Sequence, residues 1–373
     1  MKLIDTSKEV VQSDLQYICN NLAPEFGCLS GRRLLITGGA GFLGHYLVQS
    51  ILHWNSGQTG SKRIGLTVLD NYIRGVPRWL KELEGTEGLS LVQGDITHVV
   101  PKDLGTFNYI IHAASIASPT YYRRYPIETM DANVNGLRSL LDYFKNLKSS
   151  DQEALGFLFF SSSEVYGDPS PDNIPTPEDY RGSVSCTGPR ACYDEAKRYG
   201  ETLCVNFARQ YDLPIKMARP FNNYGPGLKI TDGRVIPDFA RCILEHRDIV
   251  MLSDGSPRRT FCYVADAVVG YFKILVKGRS GEAYNIGVEK PEISMADLAE
   301  RIAQLGRELF GYKGRVVRQA SGDRDYLVDN PNRRCPVISK ARSELGYRPS
   351  VELETGLRQS LLWYYDNQTA EEA

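Results

Sequence analysis

The tightest constraint in this chain is the run Thr37-Gly38-Gly39-Ala40-Gly41-Phe42-Leu43-Gly44, which follows the apolar stretch 34–37 and leads into a helix-forming segment. Gly38, Gly41 and Gly44 thus fall between the end of a strand and the start of a helix. Glycines there permit a tight turn and let a pyrophosphate approach the backbone amides at the helix start. A plain strand-to-helix turn has the same local composition, so the surrounding pattern decides between the two.

From Arg32 onward, short apolar runs alternate with longer amphipathic stretches, the pattern of a parallel sheet covered by helices on both faces. Residues 34–37, 66–70, 89–95, 109–114 and 157–163 read as strands, and 214–220 as a sixth. Beyond Arg219 the texture shifts to loops rich in Gly, Pro, Asn and Arg. The expected fold is α/β: a Rossmann-type doubly wound parallel sheet over 31–218, with a return segment near 258–278, and a smaller C-terminal α/β substrate-binding domain over 219–373. Residues 1–30 form an N-terminal extension with an amphipathic stretch, Asp14-Leu15-Gln16-Tyr17-Ile18-Cys19-Asn20-Asn21-Leu22. That stretch predicts a helix starting near Ser13 or Asp14, serving as a packing or dimer-contact appendage.

A chain of 373 residues, 42% hydrophobic and 24% charged, can bury a large core. Its net charge of -1 is too small to gather nucleic acid or an anionic membrane surface, so any bound anion needs local groups. No apolar run approaches the roughly 20 residues that span a bilayer, and the opening is too polar for a secretory signal; a cytoplasmic location is the expectation. The 8 cysteines include no close CxxC pair and only 5 histidines accompany them, which points away from a metal site and a disulfide framework.

Asp70 ends the second predicted strand, where a carboxylate accepts hydrogen bonds from an adenosine ribose and repels a 2′-phosphate. NAD is therefore favoured over NADP, although Arg74 close by in sequence weakens that preference. Further on, Tyr193 and Lys197 in Tyr-Asp-Glu-Ala-Lys lie four residues apart on a helical stretch and share one face. A nearby ammonium, with the positive nicotinamide ring, lowers the cost of a phenolate and makes Tyr193 a base usable near neutral pH. The pair is informative because it follows a Gly-rich turn and a strand ending in Ser-Ser-Ser-Glu-Val-Tyr-Gly.

In that order and spacing, from residue 31 onward, the chain resembles the extended short-chain dehydrogenase/reductase family, whose glycine spacing is GxxGxxG, and within it the UDP-glucuronate decarboxylases, or UDP-xylose synthases. The segments that carry the resemblance are 161–169, 188–198, 221–227, 232–239 and 254–266, and Gly-Pro-Arg-Ala-Cys-Tyr-Asp-Glu-Ala-Lys-Arg is the most specific. It implies that Phe42, Leu43, Asn71, Asp95, Ile96 and Ala113 join the three glycines, Asp70, Tyr193 and Lys197 around NAD, with Asp95 near the adenine. Ser162 stands where these enzymes carry a threonine that binds the reacting sugar hydroxyl. Ser163 and Glu164 match the decarboxylase Ser-Glu pair, whereas nucleotide-glucose 4,6-dehydratases carry Asp-Glu; a serine cannot protonate a leaving hydroxide well. Ser118 and Tyr122 belong to a loop over the sugar, Arg190 and Arg234 to the sugar site, Asn222 and Arg259 to the diphosphate, and Arg334 to the carboxylate or ring site. Asn330 and Val337 depart from the family pattern near Arg334.

The resemblance implies a nucleotide-sugar substrate, a UDP-sugar first, and no nucleic acid, membrane or metal. It implies removal of the 4-hydroxyl proton by Tyr193, a 4-keto sugar, loss of carbon dioxide, and Glu164 handling a water or proton near carbon 5. A dimer through the helix of Tyr193 and Lys197 is implied as well. A nucleotide-sugar 4-epimerase, a 4,6-dehydratase and a non-catalytic NAD-binding regulator remain the alternatives, the last disfavoured by retention of Ser162, Tyr193 and Lys197 together.

Overall fold

A computed structural model describes residues 6–97, 104–150, 152–319, 321–323 and 328–368. Its centre is a parallel sheet built from β1 (Arg33–Thr37), β2 (Gly65–Asp70), β3 (Leu89–Gln93), β4 (Tyr109–His112), β5 (Gly156–Phe160), β6 (Ile215–Pro220) and the strand Ala283–Ile286. The spatial order is Ala283–Ile286, β6, β5, β4, β1, β2, β3, so the chain reverses direction across the sheet between β1 and β4. In open α/β sheets the crevice at such a reversal, at the carboxyl ends of the strands, is where ligands bind.

The central strands are buried almost throughout, and successive side chains alternate between two cores, as a sheet covered on both faces requires. Leu34, Ile36, Val68, Leu158 and Phe160 feed one core, while Leu35, Leu69, Ile110, Phe157 and Phe159 feed the other. The strands expected over 89–95, 109–114 and 157–163 stop at Gln93, His112 and Phe160, and their polar remainders become the loops above the carboxyl edge.

Two expectations need correction. Helix Val264–Lys277 packs on the sheet, and the strand Ala283–Ile286 pairs with β6, so the return into the dinucleotide-binding half runs to 286 rather than ending near 278. Ala-Tyr-Asn-Ile is too short and too mixed to announce itself as a strand. Helix α1 (Ser7–Leu29) begins earlier than Ser13, because the Thr6 hydroxyl caps it by accepting from the Glu9 amide at 3.3 Å.

Helix α1 is also more than an appendage. Val10, Ile18, Leu22, Phe26 and Leu29 are buried, and the Asp14 carboxylate accepts from Tyr46 at 2.5 Å and Tyr263 at 2.7 Å. Tyr17 donates to Asp266 at 2.6 Å, and Glu25 pairs with Lys273 at 3.0 Å and Lys277 at 2.6 Å. Burial pushes the Asp14 carboxyl up to about 7. The helix start is tied to the end of the helix Leu353–Asn367, where the Ser7 amide donates to Asp366 at 2.8 Å. No helix among the described residues is long and apolar enough to cross a membrane.

Candidate active site

A cleft of about 2060 Å³ runs along the carboxyl edge of the sheet, and every site residue expected from the sequence lines it. One small molecule typically occupies ~300–1,000 Å³; this cleft has room for two.

At one end, helix α2 (Phe42–Ser56) starts from Gly41 with no side chain over its first amides. Gly38 has φ +72°, and a Cβ there would lie 2.4 Å from the Ala114 Cα. A Cβ on Gly44 would meet the Gly39 carbonyl oxygen at 2.1 Å, so that glycine lets the helix pack onto its own turn. Asp70 accepts from the Ala40 amide at 3.0 Å and the Tyr72 amide at 2.8 Å, stitching the turn to the next loop. Burial raises its pKa, and those amides oppose the rise. Asn71 donates to Asp95 at 3.3 Å, and the Ala113 amide donates to Thr37 at 3.0 Å, bringing these residues and Ile96 to one wall. The glycine cradle, exposed helix amides and strand-end carboxylate fit NAD. Arg74 does not serve Asp70: it pairs with Asp232 at 3.2 Å and lies over the Tyr121 ring at 4.5 Å, so it no longer weakens the NAD preference.

In the middle of the cleft, β5 ends and the chain turns through Ser162 into the short helix Ser163–Tyr166. The Ser162 hydroxyl accepts from the Glu164 amide at 3.2 Å, and its nearness to the Tyr193 phenol favours the phenolate. Tyr193 and Lys197 lie on the buried face of helix Ala191–Tyr211, with the Lys197 ammonium 5.5 Å from the Tyr193 ring centre. Lys197 donates to the Phe160 carbonyl at 2.7 Å, which fixes it to the strand end. Burial dominates at the phenol and pushes Tyr193 up to about 12, opposite in direction to the lowering expected from Lys197 together with a positive nicotinamide ring. Burial also lowers Lys197 to about 7. Tyr122 stacks on Tyr193 with centroids 5.0 Å apart and planes 11° apart, and so sits beside the phenol.

At the far end, Glu164 is clamped between Arg190 and Arg334. Although burial works against it, the two guanidiniums hold its carboxyl down to about 2. In this arrangement Glu164 serves as the counter-charge to both guanidiniums. Arg334 also donates to the Ser163 hydroxyl and the Gly167 carbonyl, each at 3.2 Å. Among the described residues the buried Arg259 has no carboxylate partner; it donates to the carbonyls of Arg258 at 2.8 Å, Asn332 at 3.1 Å and Pro331. Burial, with Arg334 beside it, lowers Arg259 to about 10. A buried cation facing only carbonyls suits an arriving anion.

The remaining substrate residues are partly committed to the frame. Ser118 donates to the Asp232 carbonyl at 2.7 Å, Asn222 to the Thr260 carbonyl at 2.8 Å, and Arg234 lies 3.1 Å from the Asp232 carboxylate. Two residues escaped sequence reasoning. Asp194 lies 3.5 Å from the Arg190 Nε, and the i,i+4 spacing from Arg190 was the available signal. Asp232 gathers Arg74, Arg234 and Ser118, a convergence with no local sequence signal.

Comparison with known proteins agrees with this geometry. Residues 34–287 match the model of the NAD dependent epimerase/dehydratase family. Over 330 residues, covering 88% of both chains, the sequence is 36% identical to UDP-glucuronic acid decarboxylase 3 of Arabidopsis thaliana. Among solved structures, UDP-glucose 4-epimerase of Thermotoga maritima with UDP-glucose superposes with a TM-score of 0.74 at 25% identity, covering 90% of this chain and 99% of that one. A dTDP-glucose 4,6-dehydratase of Streptomyces venezuelae with NAD bound gives 0.75 at 25% identity, covering 90% and 98%.

Proposed function

The chain belongs to the NAD dependent epimerase/dehydratase family, and we propose that within it the protein decarboxylates UDP-glucuronate to UDP-xylose or the corresponding 4-keto pentose. The observation that carries this reading is the adjacency of two devices: a hydroxyl-phenol pair, Ser162 and Tyr193, and a cluster of buried guanidiniums at Arg190, Arg259 and Arg334. The first suits oxidation of a sugar alcohol. The second suits a sugar that carries a carboxylate and a diphosphate.

Bound NAD would supply the hydride acceptor and, in its oxidised form, a positive charge that favours the phenolate. Tyr193 accepts the proton of the 4-hydroxyl as carbon 4 is oxidised, and the Ser162 hydroxyl donates to the oxygen that gains charge. Lys197, held by the Phe160 carbonyl, keeps a cation within reach of the phenolate. The new ketone is β to the carboxylate, so the bond between carbons 5 and 6 releases carbon dioxide and leaves its electron pair as an enolate. The same hydroxyls stabilise that enolate; a proton taken up at carbon 5 gives the 4-keto pentose, and return of the hydride to carbon 4, with Tyr193 giving back its proton to the oxygen, would give UDP-xylose. Ser163 bears no acid group, which supports decarboxylation over loss of water.

The test is incubation with UDP-glucuronate and NAD followed by mass analysis. Loss of carbon dioxide is the expected result. A product of unchanged mass with inverted carbon 4 makes the protein an epimerase instead, and a dehydrated product from a nucleotide-glucose makes it a dehydratase.

We also propose a homodimer. Ile127, Met130 and Tyr199 are exposed apolar residues on helices Pro126–Asp131 and Ala191–Tyr211, which pack together. Light scattering that gives a monomer mass at micromolar concentration rejects it.

A further inference from the structure

The guanidiniums of Arg190 and Arg334 approach Glu164 from parts of the chain remote from each other, one at the start of the Tyr193 helix and the other in the short strand Arg333–Arg334. Each is held independently of Glu164. Arg190 has Asp194 at 3.5 Å behind it, and Arg334 has the Gly167 carbonyl and the Ser163 hydroxyl at 3.2 Å. Removal of the Glu164 side chain from the fork therefore leaves two fixed cations facing the cleft. The Glu164 carboxylate is the most accessible member of the set, 21% exposed against 10% for the Arg190 side chain and 4% for Arg334. Its backbone amide is anchored on Ser162, so the side chain can leave the fork without disturbing the Ser162 turn.

We infer that Glu164 holds, in the free protein, the place of the substrate's own carboxylate, and that an acidic sugar must displace it from Arg190 and Arg334, an exchange that selects acidic over neutral nucleotide sugars. The inference rests on the reading of the substrate as UDP-glucuronate. A sugar carboxylate offers the same charge and the same two acceptor oxygens that the guanidiniums lose, so the exchange conserves both ion pairs. A neutral hydroxymethyl group offers neither, and breaking two partly buried pairs without replacement opposes its seating there. Once freed, Glu164 loses the two cations that hold it ionised and returns toward ordinary carboxyl behaviour. The exchange thereby converts a structural counter-charge into a group able to hold a water or proton beside carbon 5.

Glu164→Gln and Glu164→Asp, each placed in Tyr193→Phe protein saturated with NAD so that ligand is not consumed, test the exchange by calorimetric titration with UDP-glucuronate and UDP-glucose. Removing a competing carboxylate selectively strengthens binding of the acid: about tenfold for Gln, less for Asp, and under about twofold for UDP-glucose with either. Equal or weaker binding of UDP-glucuronate, or a parallel shift for both sugars, overturns the exchange. If Glu164→Gln does not fold, Glu164→Asp retains the charge and decides the matter alone. Turnover of the unmodified protein separates the two readings: absence of carbon dioxide release defeats the functional proposal, whereas release without selective tightening defeats only the exchange.

Discussion

At the dinucleotide end of the cleft, three glycines, the first turn of α2 and a single carboxylate form the wall, whereas at the sugar end buried Arg190 and Arg334 pair with Glu164, and Asp194 backs Arg190. The first surface is backbone, and its cost is conformational: a left-handed φ at Gly38 and a turn with no room for a side chain. The second is ionic, and its cost is desolvation, offset only while every charge keeps a partner. One end thus tolerates a change of charge but not of volume. The other tolerates a change of volume better than a change of charge.

The largest effect expected lies where the two ends meet. Tyr193→Phe removes the proton acceptor and lowers turnover by about 10²–10⁴-fold, measured on protein saturated with NAD; turnover near that of the unmodified protein removes the phenol as the base. Next comes Gly38→Ala, which combines φ +72° with a contact at 2.4 Å to Ala114. It destabilises the fold by about 4 kcal/mol and abolishes NAD binding, measured by denaturant unfolding and cofactor content. Unfolding like that of the unmodified protein contradicts the backbone account. Arg334→Met, similar in volume but uncharged, leaves Glu164 with one partner and costs about 3 kcal/mol; wild-type stability in that variant erases the contrast between the two ends.

Acid sharpens the comparison. Because the folded Glu164 carboxyl sits at about 2 against an ordinary 4.5, its ion pairs contribute stability that is fully present above 4.5 and is lost as pH falls through about 2. The stability gap between the unmodified protein and Glu164→Gln therefore narrows on acidification, and a gap that stays constant with pH removes Glu164 as its source. The smallest effect belongs to Arg74→Ala, which breaks a half-exposed pair with Asp232 worth under ~1 kcal/mol and weakens the salt dependence of unfolding.

The same contrast governs what could be read in advance. The dinucleotide end is written in contiguous residues, 37–44 and 66–70, so periodicity and glycine spacing suffice, and every site residue named from the sequence lines the cleft. The sugar end is assembled from positions 164, 190, 194, 259 and 334, and only folding shows that Arg190 and Arg334 converge on one carboxylate. Residue types there were legible through resemblance, but charge states were not. Burial opposes the expected lowering at Tyr193, and the pairing of Glu164 with two guanidiniums has no local sequence signal. The early start of α1 and the edge strand Ala283–Ile286 were missed because a threonine cap and a four-residue strand give weak local signals.

The amide of Ser7 resting on Asp366 at 2.8 Å gives the molecule nearly the topology of a ring. Joining the first and last helices by a short peptide bridge, and cutting the chain instead in an exposed hairpin-like bend such as that around Gly85, offers a circular permutant in which catalytic segments keep their neighbours.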